Sequence, residues 1–330
     1  MTSASRCDRV FSVTIKKIPN NLNAALVFFC FIAMSALLVL TEAMPNPYLI
    51  VASLILFSAL FLTNYSLYHE ASHHKLHSDS KWNYILGAIT GVVFLCPFSI
   101  FYVTHWNHHL RNRTDLEMFD LYYQDGPKIK TLVKWYGYLL GMWFWMIPPG
   151  AFLIAFGPSA LRARLMRREM GLVNFEAGDA RSFNLTRVRI ETLLMIAYFS
   201  ALVYFAGLSA SVFLLFYMAG SIWWSTTQYV DHAYAPRDVL VGAYNLKASR
   251  WFSLVNLHRE FDLNHHLYPE VSWIHLPELQ SGKQKQVEEG KARKKFFNHY
   301  WSQWMGPRLA PEPGPKPVEG IVSDFNDIIS

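Results

Sequence analysis

The stretch His105-Trp106-Asn107-His108-His109 holds three histidines within five residues, directly after an apolar run that ends at Val103. Residues three and four positions apart share one side of a helix, so His105, His108 and His109 can present their rings together. Imidazole is a common ligand of transition metals, and the metal binds the neutral ring. The stretch therefore predicts a metal site at the end of an apolar segment. The alternative is a polar, histidine-rich turn at a membrane surface.

The composition is typical of an integral membrane protein. Of the 330 residues, 52% are hydrophobic and 16% are charged, whereas soluble domains usually carry more charge. The formal net charge is +6, which in such a chain indicates loop topology and contact with anionic lipids. Because there is neither an arginine/aromatic stripe nor a glycine-rich phosphate loop, we expect no nucleic-acid partner. Cys7, Cys30 and Cys96 form no CxxC metal site and no disulfide framework.

Apolar runs divide the chain into spans and polar segments. We predict a cytosolic N-terminal segment at residues 1–23, a membrane domain at residues 24–279, and a cytosolic tail at residues 280–330 that is charged and then proline-rich. The membrane-spanning helices are predicted at residues 24–40, 48–68, 191–206 and 209–228. Two further apolar segments, 84–103 and 135–157, are predicted to be interfacial or re-entrant. A full crossing by the first would separate the histidine clusters that flank it, and the arginine-rich loop after the second is expected to be cytosolic.

A second histidine cluster lies where the second predicted span ends. His69-Glu70-Ala71-Ser72-His73 places two histidines four residues apart, and His77 would continue their face. The same residues match the HExxH motif of zinc metallopeptidases, so a membrane peptidase that uses His69, Glu70 and His73 is an alternative. The many further histidines exceed what such a site needs.

Histidines also follow the last predicted span. His232 emerges from the membrane much as His69 does, and we interpret it as a ligand. His265 and His266 are adjacent and cannot fully share one helix face, although two metals could use both. Asp262 lies three residues before His265 and is a possible further ligand. Carboxylates within residues 110–120 are candidates to orient imidazole N–H groups, with a solvated loop as the alternative. His258, His275 and His299 are isolated, and we expect them to be surface or packing residues.

Together these clusters resemble a known family. His69-Glu70-x-x-His73, His105-x-x-His108-His109 and His265-His266-Leu267-Tyr268-Pro269 are similar in order and spacing to the three histidine boxes of the membrane fatty-acid desaturase and hydroxylase superfamily. The resemblance implies an all-α integral membrane protein, a four-helix transmembrane bundle with a cytosolic helical cap. In the cap, a non-haem di-iron centre would be ligated by the histidines at positions 69, 73, 105, 108, 109, 232, 265 and 266, with His77 and Asp262 as possible ligands.

The resemblance also implies a reaction. Two iron ions would use O₂ as co-substrate to oxidise an unactivated C–H bond of a lipid or acyl-carrier substrate, with desaturation of a fatty acyl chain as the principal hypothesis. Hydroxylation, ketolation or acetylenation of an acyl, carotenoid or other apolar substrate is the alternative within the superfamily. A lipid tunnel is expected to draw on Phe98, Phe101, Tyr102, Trp143 and Trp224. A protein that only senses or handles a metal or haem is the alternative outside enzymes.

Departures from the family pattern concern a ligand and the source of electrons. Asp262 stands where many members carry histidine. No fused cytochrome-like domain is visible, so we expect an external electron donor, either a ferredoxin or a b-type cytochrome with its reductase. The basic loops would suit an acidic donor. The histidine boxes are expected to face the cytosol, from a bacterial inner membrane or the endoplasmic reticulum, in contact with membrane lipids.

Overall fold

The first two helices form a long antiparallel hairpin. The computed structural model describes residues 17–165, 184–279, 293–310 and 313–316. Helix α1 covers Asn20–Ala43 and α2 covers Pro47–Ser72. The Asn46 side chain caps α2 by accepting hydrogen bonds from the next turn's backbone N–H groups, and proline at the first helical position needs no such partner. The predicted turn before residue 48 is therefore built from residues suited to starting a helix.

Two bent helix pairs occupy the two segments that were predicted to be interfacial or re-entrant. Helices α3 (Ser80–Phe94) and α4 (Phe98–Arg111) meet at 94°, and α5 (Lys128–Leu139) and α6 (Met142–Phe156) meet at 81°. A bend of this size can return the chain to the side from which it came, as the histidines on α2 and α4 require.

A residue in the left-handed conformation stands at each of the two bends. Leu95, with φ +61°, ends α3 in the left-handed conformation. Gly141, with φ +81°, separates α5 from α6, where glycine accepts a backbone conformation that strains other residues. Pro148 and Pro149 do not break this segment, because both lie inside α6.

The second long hairpin consists of α8 (Leu185–Ala206) and α9 (Ala210–Gln228), preceded by the short helix α7 (Ser159–Leu165). Gly207 makes the predicted turn with φ +67°. Helix α9 packs against α2 through aromatic rings, including Phe57 with Phe216 at 5.2 Å and Phe57 with Tyr217 at 5.4 Å between centroids. These rings form the core between the two hairpins.

Within the described residues, three helices are long and apolar enough to cross a membrane, namely α1, α2 and α8. The bent pairs would raise the number to five if each were one span. Helix α9, which covers the fourth predicted span, is not in this set, because its second half ends in the polar run Ser225-Thr226-Thr227-Gln228. The chain is therefore mostly helical, as predicted, with several apolar helices.

The C-terminal part packs on the helical body. Helices α10 (Arg250–Val255) and α11 (Asp262–Leu267) are followed by a 3₁₀ helix at Trp273–Glu278 and by α12 (Phe296–Gln303). Strand β2 (Arg308–Leu309) pairs in parallel with β1 (Leu121–Tyr122). This part of the predicted tail is thus folded, whereas residues 280–292 of its charged segment and most of the proline-rich end lie outside the described residues.

Candidate metal centre

Four segments deliver the predicted ligands to one place. The histidines are His69 and His73 at the end of α2, His105, His108 and His109 on α4, His232 just after α9, and His265 and His266 on α11. They form two groups, and in each group the candidate ligand atoms lie within 4.8 Å of one another. The structure thus brings together residues that are up to 197 positions apart, since 266 − 69 = 197.

The first group consists of His69, His73, His105, His109 and His265. Four of its Nε2 atoms form a close chain: the Nε2 atoms of His73 and His105 are 2.7 Å apart, those of His105 and His109 are 3.1 Å apart, and those of His109 and His265 are 3.1 Å apart. Burial lowers the pKa of His265 to about 3. A cluster of neutral rings with converging nitrogen atoms is the form in which imidazole binds a metal.

The second group consists of His108, His232 and His266. The Nδ1 of His232 is 3.1 Å from the carbonyl oxygen of Gly242. A hydrogen bond from this N–H fixes the tautomer and leaves Nε2 as the ligand atom. Burial is the main reason that the pKa values of His232 and His266 lie well below the usual range.

In two pairs of adjacent histidines, one residue belongs to the first group and the other to the second. His108 belongs to the second group and His109 to the first, and His265 and His266 divide in the same way. Neighbouring residues on a helix point in directions about 100° apart, so each pair reaches two places at once. The expectation that two metals could use both members of a pair therefore agrees with the geometry.

The carboxylate of Asp262 lies beside the second group. Its Oδ2 lies 3.1 Å from Nε2 of His232 and 3.5 Å from Nε2 of His266. Within the described part of the chain, this buried oxygen has no well-formed hydrogen bond, and burial raises the pKa of the carboxyl to about 6. A buried oxygen without a hydrogen bond is costly, and a cation held by the three atoms would stabilise it. The donor set thus fits one metal in each group.

The chain after the second box supports this arrangement. Oε2 of Glu117 lies 3.6 Å from Nδ1 of His108, where it can orient that ring. The fully buried guanidinium of Arg113 donates to Asp120 at 2.7 Å and to the Tyr229 hydroxyl at 3.0 Å. The hydrogen bond to Tyr229 joins this buried ion pair, and with it the loop after α4, to the segment that carries His232.

Glu70 does not occupy the position expected of a peptidase base. Its Oε2 accepts hydrogen bonds from the Trp273 backbone N–H at 3.1 Å and from the Ser272 hydroxyl at 3.2 Å. The carboxylate therefore holds the segment that follows the third box. The two histidines of the HExxH motif belong to the group of five, which is larger than the ligand set of a zinc peptidase.

His77 does not join either group. Helix α2 ends at Ser72, so the face that the sequence seemed to continue to position 77 is lost. The Nδ1 of His77 instead accepts the backbone N–H of Asp79 at 2.9 Å. The structure therefore does not bring His77 together with the other predicted ligands.

The other isolated histidines also lie apart from the two groups. His258 stacks on Trp273, with 5.8 Å between centroids. His275 lies near the Lys17 carbonyl, and the buried His299 lies near that of Ala233.

A cavity of about 250 Å³ reaches the histidines. His105, His108 and His232 line one part of it. The remaining wall is largely apolar and includes Tyr65, Phe101, Trp143, Ile147, Ala151, Ile154 and Trp224, with Thr104, Glu117 and Gln228 as polar members.

Three of the five predicted tunnel aromatics line this cavity, namely Phe101, Trp143 and Trp224. Phe98 and Tyr102 do not line it: Phe98 packs on Tyr68, and Tyr102 packs on His74. Phe101 precedes His105 by four residues and His108 by seven, which places its ring on the side of α4 that carries these histidines. The prediction for Phe98 and Tyr102 was therefore wrong.

Sequence reasoning missed residues whose partners are distant along the chain. Arg259 is buried beside the first group, donating to Gln228 at 2.7 Å and to the Thr227 carbonyl at 2.8 Å. The Glu191 side chain accepts hydrogen bonds from the backbone N–H and hydroxyl of Ser99, in the first turn of α4. An acidic residue within an apolar run was the available signal for Glu191.

Comparison with known proteins agrees with the site. No curated protein matches the chain significantly. A family model described as fatty acid desaturase matches residues 45–297, which include all eight clustered histidines. The matched region is more than half of the chain, and its histidine boxes are those that form the two groups. The chain belongs to the fatty acid desaturase family.

Proposed function

We propose that the chain is an O₂-dependent di-iron desaturase that introduces a double bond into the acyl chain of a lipid. The family is one of oxidoreductases, which supports an oxidation. The observation that carries the finer proposal is that histidines of both groups line one apolar cavity, His105 from the first group and His108 and His232 from the second. A substrate in this cavity would contact the metal-binding rings directly.

One iron would be held by the first group and one by the second, with Asp262 as a further ligand of the second. Two ferrous ions held there would supply, with O₂, an oxidant able to remove hydrogen from an unactivated C–H bond, which no acid or base at an accessible pKa achieves. Two external electrons would return the ions to the ferrous state in each turnover. The balanced reaction converts –CH₂–CH₂– with O₂, two electrons and two protons into –CH=CH– and two water molecules.

The residues of the cavity bind and orient the substrate. Apolar side chains such as Trp224 and Ile147 favour a hydrocarbon chain and exclude water. The polar side chains of the cavity include Thr104, which directly precedes His105, and Gln228, the last residue of α9. The cavity thus suits an apolar substrate whose reacting carbons lie beside the histidines.

The electrons would come from a separate protein, either a ferredoxin or a b-type cytochrome with its reductase. The protein would be a multi-pass membrane protein with its histidines on the cytosolic side. The basic charge of its loops supports this orientation under the positive-inside rule.

The test is lipid profiling of cells that express the protein, with the His108→Ala variant as the inactive counterpart. The proposal predicts acyl chains that are two hydrogen atoms lighter in cells with the wild-type protein and not in cells with the variant. His77→Ala is a matched histidine control, because His77 lies outside both groups, and it should keep activity. Products that carry an added oxygen atom would assign the protein to the hydroxylases, and lipids unchanged under aerobic conditions would refute an acyl substrate.

A further inference from the structure

An exposed surface of α10 and α12 combines aromatic, aliphatic and basic side chains. Trp251 is 78% exposed, Leu254 44% and Trp301 65%. The two helices are joined by Phe252, whose ring lies 4.5 Å from that of Phe296. Exposed basic residues around them include Lys247, Arg250 and Lys295. We call Lys247, Arg250, Trp251, Leu254, Lys295 and Trp301 the basic–aromatic patch.

The patch lies deeper along the spanning helices than the metal centre. The Val255 carbonyl, at the end of α10, accepts a hydrogen bond from the Thr63 hydroxyl of α2 at 2.7 Å. Thr63 precedes His69 by six residues in that helix, which corresponds to about 9 Å at the rise of an α-helix. On the other side, the Tyr300 hydroxyl of α12 donates to Thr226 near the end of α9. The patch is therefore beside the ends of the spans, where the membrane surface is expected.

The chemistry of the patch suits a lipid surface better than a soluble protein. Tryptophan is enriched at membrane–water interfaces, and lysine and arginine near the surface are attracted to anionic headgroups. Residues 244–256 and 293–305, which contain the whole patch, include no aspartate or glutamate. Exposed Trp251 and Leu254 would be poorly placed in water but well placed among lipid headgroups.

We propose that the basic–aromatic patch binds the surface of an anionic bilayer. Trp251, Leu254 and Trp301 enter the headgroup region, and the basic side chains contact lipid phosphates. The contact anchors the segment that leads from α10 to the third histidine box on α11. It does not depend on the metal or on the reaction proposed above.

The test compares two exposed leucines in the full-length protein. Leu254 lies in the patch, whereas Leu240, which is 50% exposed, lies in the turn after Asp238, beyond the end of α9. Leu254→Cys and Leu240→Cys are made in a Cys7→Ser background, spin-labelled and reconstituted into nanodiscs that contain phosphatidylglycerol. O₂, which concentrates in lipid, should relax the spin label at position 254 more strongly than a water-soluble nickel chelate does. The chelate should relax the label at position 240 more strongly than O₂ does. Equal access of the chelate to both labels would overturn the proposal.

The role of charge is tested by the triple variant Lys247→Gln, Arg250→Gln, Lys295→Gln. Protection of the label at position 254 should fall when phosphatidylglycerol is replaced by phosphatidylcholine, and this difference should be lost in the triple variant. Equal protection in the two lipids before the charges are removed would overturn the anionic part of the proposal. Protection that arises in detergent only when an acidic ferredoxin is added would assign the patch to a protein partner instead.

Discussion

Gly150 is expected to set the length of acyl chain that the cavity accepts. It is buried on α6 and lines the cavity together with Met146, Ile147, Ala151 and Ile154, which form one face of the helix. A Cβ placed on Gly150 meets no atom within 4 Å. The Gly150→Leu variant would therefore place its side chain in space that the substrate is expected to use.

The size of the effect follows from the number of carbon atoms displaced. Leucine adds four carbons, and the burial of each methylene is worth about 0.8 kcal/mol, so a substrate that loses four methylene contacts loses about 3 kcal/mol. That corresponds to roughly 200-fold in selectivity against the longer of two substrates that differ by four carbons. Gly150→Ala removes one such contact and should shift selectivity about fourfold. Neither change should unfold α6, because alanine and leucine both favour a helix over glycine.

The assay feeds expressing cells a pair of fatty acids that differ by four carbons and compares their products by mass spectrometry. The Gly150→Leu variant should favour the shorter product. Phe152→Leu is the control on the same helix, because Phe152 is 49% exposed and does not line the cavity. An unchanged product ratio in folded, iron-loaded Gly150→Leu protein would refute the assignment of the cavity to the substrate.

Three further changes test the site and its support. His108→Ala should abolish turnover with little loss of folded protein, because helix packing and not the metal holds the bundle together, and normal turnover would exclude His108 as an essential ligand. Asp262→His should retain iron, since imidazole can replace a carboxylate in the second group; complete loss of iron in elemental analysis would show a role specific to the carboxylate. Asp120→Asn should lower the free energy of unfolding by about 3–5 kcal/mol because it leaves the buried Arg113 without its ion pair. Denaturation should show that the double variant, Asp120→Asn with Arg113→Met, loses less free energy of unfolding than the sum of the losses in the two single variants. Losses that add strictly would contradict an interaction between the two side chains.

The sequence predicted the elements whose signal is local. Helical spacing within the second box indicated that the rings of His105 and His109 could converge, although it did not show that His108 joins the other group. The adjacent pair at positions 265 and 266 indicated that two metals were feasible. The turn at Gly207 was also predictable, because a glycine followed by the helix-capping Ser209 stands between two apolar runs. Each of these features depends on residues within a few positions of one another.

The sequence did not predict features that depend on distant partners. Leu95 takes a left-handed conformation, which the sequence does not indicate because the residue is not a glycine. By its sequence context Arg113 would be a solvated loop residue, yet it is buried. Asp120 of the same loop and Tyr229 of the segment after α9 both accept hydrogen bonds from it. Asp262 could be placed beside the second histidine group only when the relative position of α11 and the segment after α9 was known.

Metal analysis of the purified, detergent-solubilised protein tests the central claim most directly. The wild-type chain should contain about two iron ions, because the histidines form two adjacent groups, each with a donor set suited to one ion. His109→Ala and His266→Ala remove one ring from the first and the second group, respectively, and each should lower the iron content, while His77→Ala should leave it unchanged. One zinc ion per chain, with no iron, would contradict the di-iron account and restore the HExxH peptidase as the leading hypothesis.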